Sequence, residues 1–260
     1  MNLKLEKKVY LVTGGSRGIG KAIVLRLLEE GAFVAVCARN NNELHKFFYS
    51  LPIHLQSNCF IMEADVLNRG QMEKVIANTV KRFGRLNGIV ANAGSGSSGG
   101  VLETAFEDWE SQYAIKVGGL LNTIKPAVPE LMKTEHPRIV IINGVTANVP
   151  DIEMAAVSAS RAAVKQIAAM LAKVLAPQIC VNTVNIGVID TERQLQKYKK
   201  ADTELSYEKW KEQEALRREI PLGRMGTPEE AAPMAALLLS PLSSYITGAS
   251  IDISGGLHAE

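Results

Sequence analysis

The sequence predicts an α/β fold, a single doubly wound domain with a parallel sheet of about seven strands and helices on both faces. Three observations predict it. Short β-branched apolar runs alternate with helix-length segments along the chain, the runs are apolar at nearly every position, and a glycine-rich turn joins the first run to the first helix. Continuously apolar strands are expected where both sheet faces are covered, and parallel strands joined through helices require right-handed crossovers.

The first strand is read at 9–12 (VYLV) and is followed by a helix after Gly18, whose Ile19, Ala22, Ile23 and Leu27 share one face before Gly31 ends it. Further strands are expected at 32–37 (AFVAVC), 59–63 (CFIME), 88–91 (GIVA), 138–142 (RIVII), 179–184 (ICVNTV) and 249–253 (ASIDI). A capping box at Thr104 and Glu107 is expected to open a long helix toward Leu131, bent or weakened by Gly118, Gly119, Pro126 and Pro129. An alanine-rich helix follows at 154–176. Residues 192–220 are highly charged with interspersed Leu195, Tyr198, Leu205, Tyr207, Trp210 and Leu216. Such an insertion after a strand's carboxyl end sits where open α/β sheets bind ligands, so it is read as a lid rather than as solvated surface helices.

All 260 residues are assigned to one domain, and 47% hydrophobic content is ample for its core. Lysine plus arginine number 29 against 27 acids, a formal balance of +2 that gives no electrostatic case for nucleic acid or an anionic membrane. The apolar run near the N-terminus is too short for a signal segment or a membrane span, and a cytoplasmic protein is expected. Cys37, Cys59 and Cys180 lie in or beside strand-like runs and are read as buried, reduced thiols, with no metal site. Ser95 to Gly100 (SGSSGG) reads as a flexible loop.

Directly after the first strand comes Thr13-Gly14-Gly15-Ser16-Arg17-Gly18-Ile19-Gly20. Its spacing, G-x-x-x-G-x-G, differs from the G-x-G-x-x-G fingerprint. The mechanics are shared: glycines permit a tight turn and close backbone approach, and the helix N-terminus favours a phosphate. This stretch resembles the cofactor turn of the short-chain dehydrogenase/reductase family, and the resemblance runs nearly end to end. Asp65-Val66 resembles the family's adenine-side pair, and Asn92-Ala93-Gly94 its motif after the fourth strand. Gly187, Ile189 and Thr191 fall in the loop that holds the nicotinamide amide, with Ile186 in place of the usual proline. IPLGRMGTPEEAA and YITGASIDISGG near the carboxyl end are also family-like. The resemblance implies a Rossmann-type domain that binds a nicotinamide dinucleotide at Gly14, Ser16, Arg17, Gly18, Ile19, Gly20, Arg39, Asp65, Val66, Asn92, Ala93, Gly94, Arg161, Gly187, Ile189 and Thr191. An acid at the end of the second strand would repel a 2′-phosphate, whereas this chain has Arg39 there and Arg17 in the turn. Two guanidiniums suit the extra phosphate, so NADP(H) is the expected cofactor.

The catalytic half departs from the family. Its members reduce carbonyls with a serine, a tyrosine and a lysine, assisted by an asparagine. In this sequence those positions correspond to Gly144, Val157, Arg161 and Lys116. Register hardly matters, because no tyrosine lies between Tyr113 and Tyr198 and no serine between Ser111 and Ser158. Valine has no transferable proton, and arginine stays protonated with a pKa above about 12. Arg161 retains the means to bond a nicotinamide ribose. Lys116 is either a relocated proton donor, its pKa lowered by burial beside Arg161, or a structural or ligand-charge contact. Lys165, one turn beyond Arg161, is not an evident substitute. Thr146 and Asn143 are candidates for orienting a carbonyl. Asp151 and Glu153 are read as acids favouring a helix start, and His45, His54, His136 and His258 as surface residues.

Three functions are therefore weighed: an NADP(H)-dependent oxidoreductase of altered mechanism acting on a small carbonyl or alcohol, a redox-inactive NADP(H)-binding subunit or sensor, and a non-redox catalyst such as a cyclase. Losing a positioned general acid costs about 10² to 10⁴ in rate, which leaves slow or specialised turnover open. The family resemblance also implies a homodimer or homotetramer, in which Ala155, Ala159, Ala162 and Ala169 permit close helix packing.

Overall fold

Alternate residues of each central strand feed two separate cores. Tyr10 and Val12 pack on one face, with Ile23 and Leu27 from the first helix, while Leu11 packs on the other with Val75 and Ile89. The same split recurs at Val140 against Ile139 and Ile141. This is the physical reason the strands read as apolar at every position.

The computed structural model describes residues 2–258. The first half comprises β1 (Val9–Thr13), α1 (Gly18–Glu29), β2 (Phe33–Ala38), α2 (Asn41–Ser50), α3 (Ile53–Gln56), β3 (Cys59–Glu63), α4 (Arg69–Phe83) and β4 (Gly88–Ala91). Then come α5 (Phe106–Tyr113), α6 (Gly119–Ile124), α7 (Val128–Leu131), β5 (Arg138–Gly144), α8 (Ala155–Leu175) and β6 (Cys180–Ile186). The chain continues through α9 (Glu192–Lys200), α10 (Tyr207–Arg217), α11 (Pro228–Leu239) and β7 (Ser250–Ile253). The seven strands form one parallel sheet in the order β3-β2-β1-β4-β5-β6-β7. No helix among the described residues is long and apolar enough to cross a membrane.

Several expectations need correction. The helix assigned to a capping box at Thr104 begins at Phe106 with Ala105 at its N-cap. The Thr104 hydroxyl instead turns back and donates to the Gly100 carbonyl at 2.6 Å. The long helix toward Leu131 is interrupted. It passes through a π-helical turn at Ala114–Gly118, continues as α6, and breaks before α7 near Pro126, which has no amide to donate. Gly119 is no weak point, since a Cβ there would meet Val66 Cγ2 at 2.8 Å, so the glycine admits close packing against the β3 side. Cys37 and Cys59 are buried, with thiols pushed up to about 12 by burial, but Cys180 is only half-buried. Ala159, Ala162 and Ala169 lie on the exposed side of α8 beside Met170 and Val174, whereas Ala155 is buried within the chain.

Candidate active site

From β1 the chain runs to β2 and β3 on one side of the sheet, then returns to β4 on the other. At such a switch point the loops after the two strands diverge and open a crevice at their carboxyl ends. The glycine turn leaves β1 here, and Asn92-Ala93-Gly94 leaves β4.

The turn is built from both sides. Gly14 and Gly18 take left-handed φ values of +67° and +53°, and a Cβ on Gly20 would come within 2.5 Å of Asn92 Nδ2. Asn92 Nδ2 donates to the carbonyls of Thr13 and Gly14 at 2.9 and 3.0 Å, and the Thr13 hydroxyl accepts from the amides of Asn92 and Ala93. No side chain among the described residues caps the start of α1, so its first amides are open to an anion. Ser16 is half-buried in the turn, and Ile19 packs against the core below it. The Gly14 amide donates to the Cys37 carbonyl at 2.7 Å, tying the turn to the end of β2. Arg39 follows that end and is exposed, as is Arg17.

Asp65 and Val66 stand just past β3. The Asp65 carboxylate accepts from the Leu67 amide at 2.9 Å, and the Val66 carbonyl accepts from Asn122 Nδ2 at 3.0 Å. On the opposite side, Gly187 donates to the Ile253 carbonyl at 2.9 Å and Ile189 pairs with Gly226. Thr191 reaches the glycine turn, with its Cγ2 3.6 Å from where a Gly18 Cβ would stand, and the next residue, Glu192, faces Arg17 at 3.7 Å.

Of the positions predicted as catalytic, Arg161 stands against Gly144 and within electrostatic reach of Lys116. Val157, in the first turn of α8, is 1% exposed. Gly144 ends β5, and a Cβ on it would lie 2.6 Å from Arg161 Cζ and 3.0 Å from Nε. The guanidinium thus fills the volume a serine would require. Asn143, rather than standing free for a carbonyl, donates through Nδ2 to the Arg161 backbone carbonyl at 3.1 Å. The Thr146 hydroxyl is buried without a partner among the described residues. Lys165 points away to Asn148 Oδ1 at 2.8 Å.

Lys116 sits within the π-helical turn, a local widening that recurs at functional sites. Only 9% exposed, its ammonium donates to the Ser95 carbonyl at 2.8 Å and to the Gln112 side-chain carbonyl. Burial first, then the charges of Arg161 and Arg193, lower its pKa to about 7. Arg161 is itself lowered to about 10 by burial and by Arg193.

Arg193 comes from the region expected to be a lid. That region forms α9 and α10, joined by a Tyr198, Tyr207 and Trp210 cluster and anchored where Tyr207 and Lys211 bond the Asp190 carboxylate. Its far end is tied down by Arg218 to Asp151 at 3.2 Å and by Arg217 to Glu153 at 3.3 Å. These two acids thus tie down the end of α10, a role beyond favouring a helix start. The SGSSGG loop is also held in place, because Gly99 donates to the Glu153 carbonyl at 2.7 Å and accepts from the Ala155 amide at 3.0 Å. Arg193 lies over this loop, with both terminal nitrogens 2.8 Å from where a Gly96 Cβ would stand. Of the four histidines expected at the surface, His258 is largely buried against Asp252.

Sequence reading missed Arg193, Gln112 and Ser95. Gln112 precedes Lys116 by one helical turn, which is a signal of a shared face. Nothing in the charge pattern of residues 192–220 singles out Arg193.

A family model described as Enoyl-(Acyl carrier protein) reductase matches residues 14–258. The chain belongs to the short-chain dehydrogenase/reductase family. Among curated relatives, the 3-oxoacyl-(acyl-carrier-protein) reductase FabG of Thermotoga maritima is 34% identical over 259 residues, 98% of this chain and 99% of its own length. Isoepoxydon dehydrogenase patN of Penicillium expansum is 33% identical over 253 residues, 95% of this chain and 93% of its own length. Among solved structures, an NADPH-bound short chain oxidoreductase from Pseudomonas aeruginosa, described as containing an atypical catalytic center, is 34% identical. It superposes with a TM-score of 0.93 over 98% of each chain. L-sorbose reductase from Gluconobacter frateurii, complexed with NADPH and L-sorbose, reaches 0.94 at 26% identity, over 99% of this chain and 98% of its own.

Proposed function

We propose that the protein is an NADP(H)-dependent reductase of a small carbonyl compound in which Lys116, rather than a tyrosine, supplies the proton. The observation that carries this reading is the buried Lys116 ammonium, poised with a pKa of about 7 beside Arg161. An acid with a pKa near the working pH combines a usable protonated fraction with a proton labile enough to transfer.

The crevice fits a dinucleotide. Left-handed glycines, the lack of room at Gly20 and the uncapped start of α1 suit a pyrophosphate, with Gly14, Ser16, Gly18, Ile19 and Gly20 around it. Exposed Arg17 and Arg39 suit a 2′-phosphate. Asp65, Val66, Asn92, Ala93 and Gly94 would line the adenosine side, and Arg161, Gly187, Ile189 and Thr191 the nicotinamide side. The NADPH-bound neighbour supports this choice of cofactor, and its atypical catalytic center supports an altered relay here.

When bound, NADPH supplies a hydride to the carbonyl carbon. The carbonyl electron pair then moves to oxygen, which takes one proton from Lys116 Nζ to give the alcohol. The resulting neutral amine is held by the Ser95 carbonyl and Gln112 and recovers its proton from water. Arg161 faces the same space and favours negative charge developing on oxygen.

The test is NADPH oxidation across a panel of small ketones and aldehydes, comparing the natural protein with Lys116→Met. The reading expects turnover that falls about 10² to 10⁴ in the variant while NADPH affinity holds. NADPH binding with no turnover across the panel would favour a redox-inactive binding protein instead.

A further inference from the structure

We propose that this cleft receives an oxyanionic group of its substrate, a carboxylate or phosphate, between Arg161 of α8 and Arg193 of α9. The inference rests on the cleft being the substrate site of the proposed reductase, and it adds the substrate's charge class.

The argument begins with space. Gly144 and Gly96 are the positions over which the two guanidiniums lie, and a Cβ at either would crowd them at 2.6 and 2.8 Å respectively. Both cations are thus seated by missing side chains. Neither guanidinium has a hydrogen bond or an acidic ion-pair partner among the described residues. Each presents a planar fork of donors suited to an oxyanion.

The surrounding acids are committed elsewhere. Asp151 pairs with Arg218, Glu153 with Arg217, Glu214 with both of those arginines, Asp190 with Lys211 and Glu192 with Arg17. Lys116 and Lys197 add positive charge, and Lys197 feels Glu214 only as one influence among Arg218, Arg193 and Arg217. Burial and mutual repulsion lower the pKa of Lys116, Arg161, Arg193 and Lys197, so the cluster is held together at a cost that an anion would offset. An anion placed there would also draw a proton onto Lys116. The substrate's charge would then help to protonate the acid that its carbonyl needs.

The experiment is titration calorimetry of the intact protein with sulfate and with malonate, at constant ionic strength in chloride and at pH 7.5, in buffers of different ionisation enthalpy. Neither anion titrates appreciably at that pH. The expected result is saturable binding with proton uptake, weakened about tenfold or more in Arg193→Gln and without the uptake in Lys116→Met. Lys200→Gln at the far end of α9 should leave this binding unchanged. No saturable binding, or binding lost with Arg17 and Arg39 but kept in Arg193→Gln, would overturn the inference. The readout is independent of turnover: sulfate binding through Arg193 without NADPH oxidation refutes only the reductase, and a reductase that binds no anion refutes only the charge class. Tighter binding of malonate than of sulfate marks a carboxylate, and the reverse a phosphate.

Discussion

Arg161 and Gly144 are a matched pair, for the guanidinium occupies the volume that any side chain at position 144 would enter. The two are coupled in physical terms: an arginine on α8 is accommodated because β5 ends in glycine.

Gly144→Ser alone should therefore destabilise the protein, by about 1–3 kcal/mol from overpacking. Adding Arg161→Lys, which withdraws the fork, should recover most of the loss. A double-mutant cycle by urea denaturation measures it, and strictly additive losses would show that the residues do not compete for space.

Arg17 and Arg39 should set the choice of dinucleotide. Replacing both with alanine is expected to weaken NADPH by tenfold or more, at about 1.5–3 kcal/mol per charge-assisted contact, with little effect on NADH. Fluorescence titration with each nucleotide checks this, and equal losses for both would locate the arginines elsewhere in binding.

The α9–α10 segment should loosen from its far end. Arg218 holds Asp151 while only 17% exposed, so Arg218→Ala removes that anchor and leaves Arg217–Glu153 as the other. Hydrogen exchange across residues 192–217 is expected to quicken with little change in overall melting, because these helices stand apart from the two sheet-packed cores. Substrate KM should rise more than NADPH affinity falls.

Lys116 should leave a signature in stability as well. Its folded pKa of about 7 lies below the ordinary lysine value of 10.5 expected for the unfolded chain. Between those values the unfolded chain binds the extra proton, so this group's contribution to stability rises with pH across the window, and the penalty for burying the ammonium is fully present below about 7. The difference in melting temperature, Lys116→Met minus natural protein, should be most positive near pH 6 and decline toward pH 10. A difference independent of pH would mean that Lys116 keeps an ordinary pKa.

The sheet was legible because its strands are apolar on both faces, a local and repeated signal. Strand ends were less so: β5 and β6 run on through Asn143 and Asn185, polar residues whose side-chain amides find acceptors in the fold, Asn143 at the Arg161 carbonyl and Asn185 at Ser250 and Asp252. The Thr104 box failed because the hydroxyl found a carbonyl four residues back. In the site, the glycine turn could be read from sequence because its backbone conformation is a local demand. The fit of Arg161 to Gly144 depends on two residues seventeen apart meeting in space, and the depressed pKa of Lys116 depends first on burial and then on the charges of Arg161 and Arg193, which come from separate elements. The π-helical turn that carries Lys116 has no mark in the residue pattern.

The pH dependence of kcat/KM for NADPH-dependent reduction tests the central claim most directly, since it reports the protonation state of the acid before the carbonyl substrate binds. If Lys116 donates the proton, kcat/KM is level below about pH 7 and falls tenfold per unit above it, and that limb is absent from the residual activity of Lys116→Met. A profile that stays level to pH 9, or the same limb in both proteins, would contradict the account.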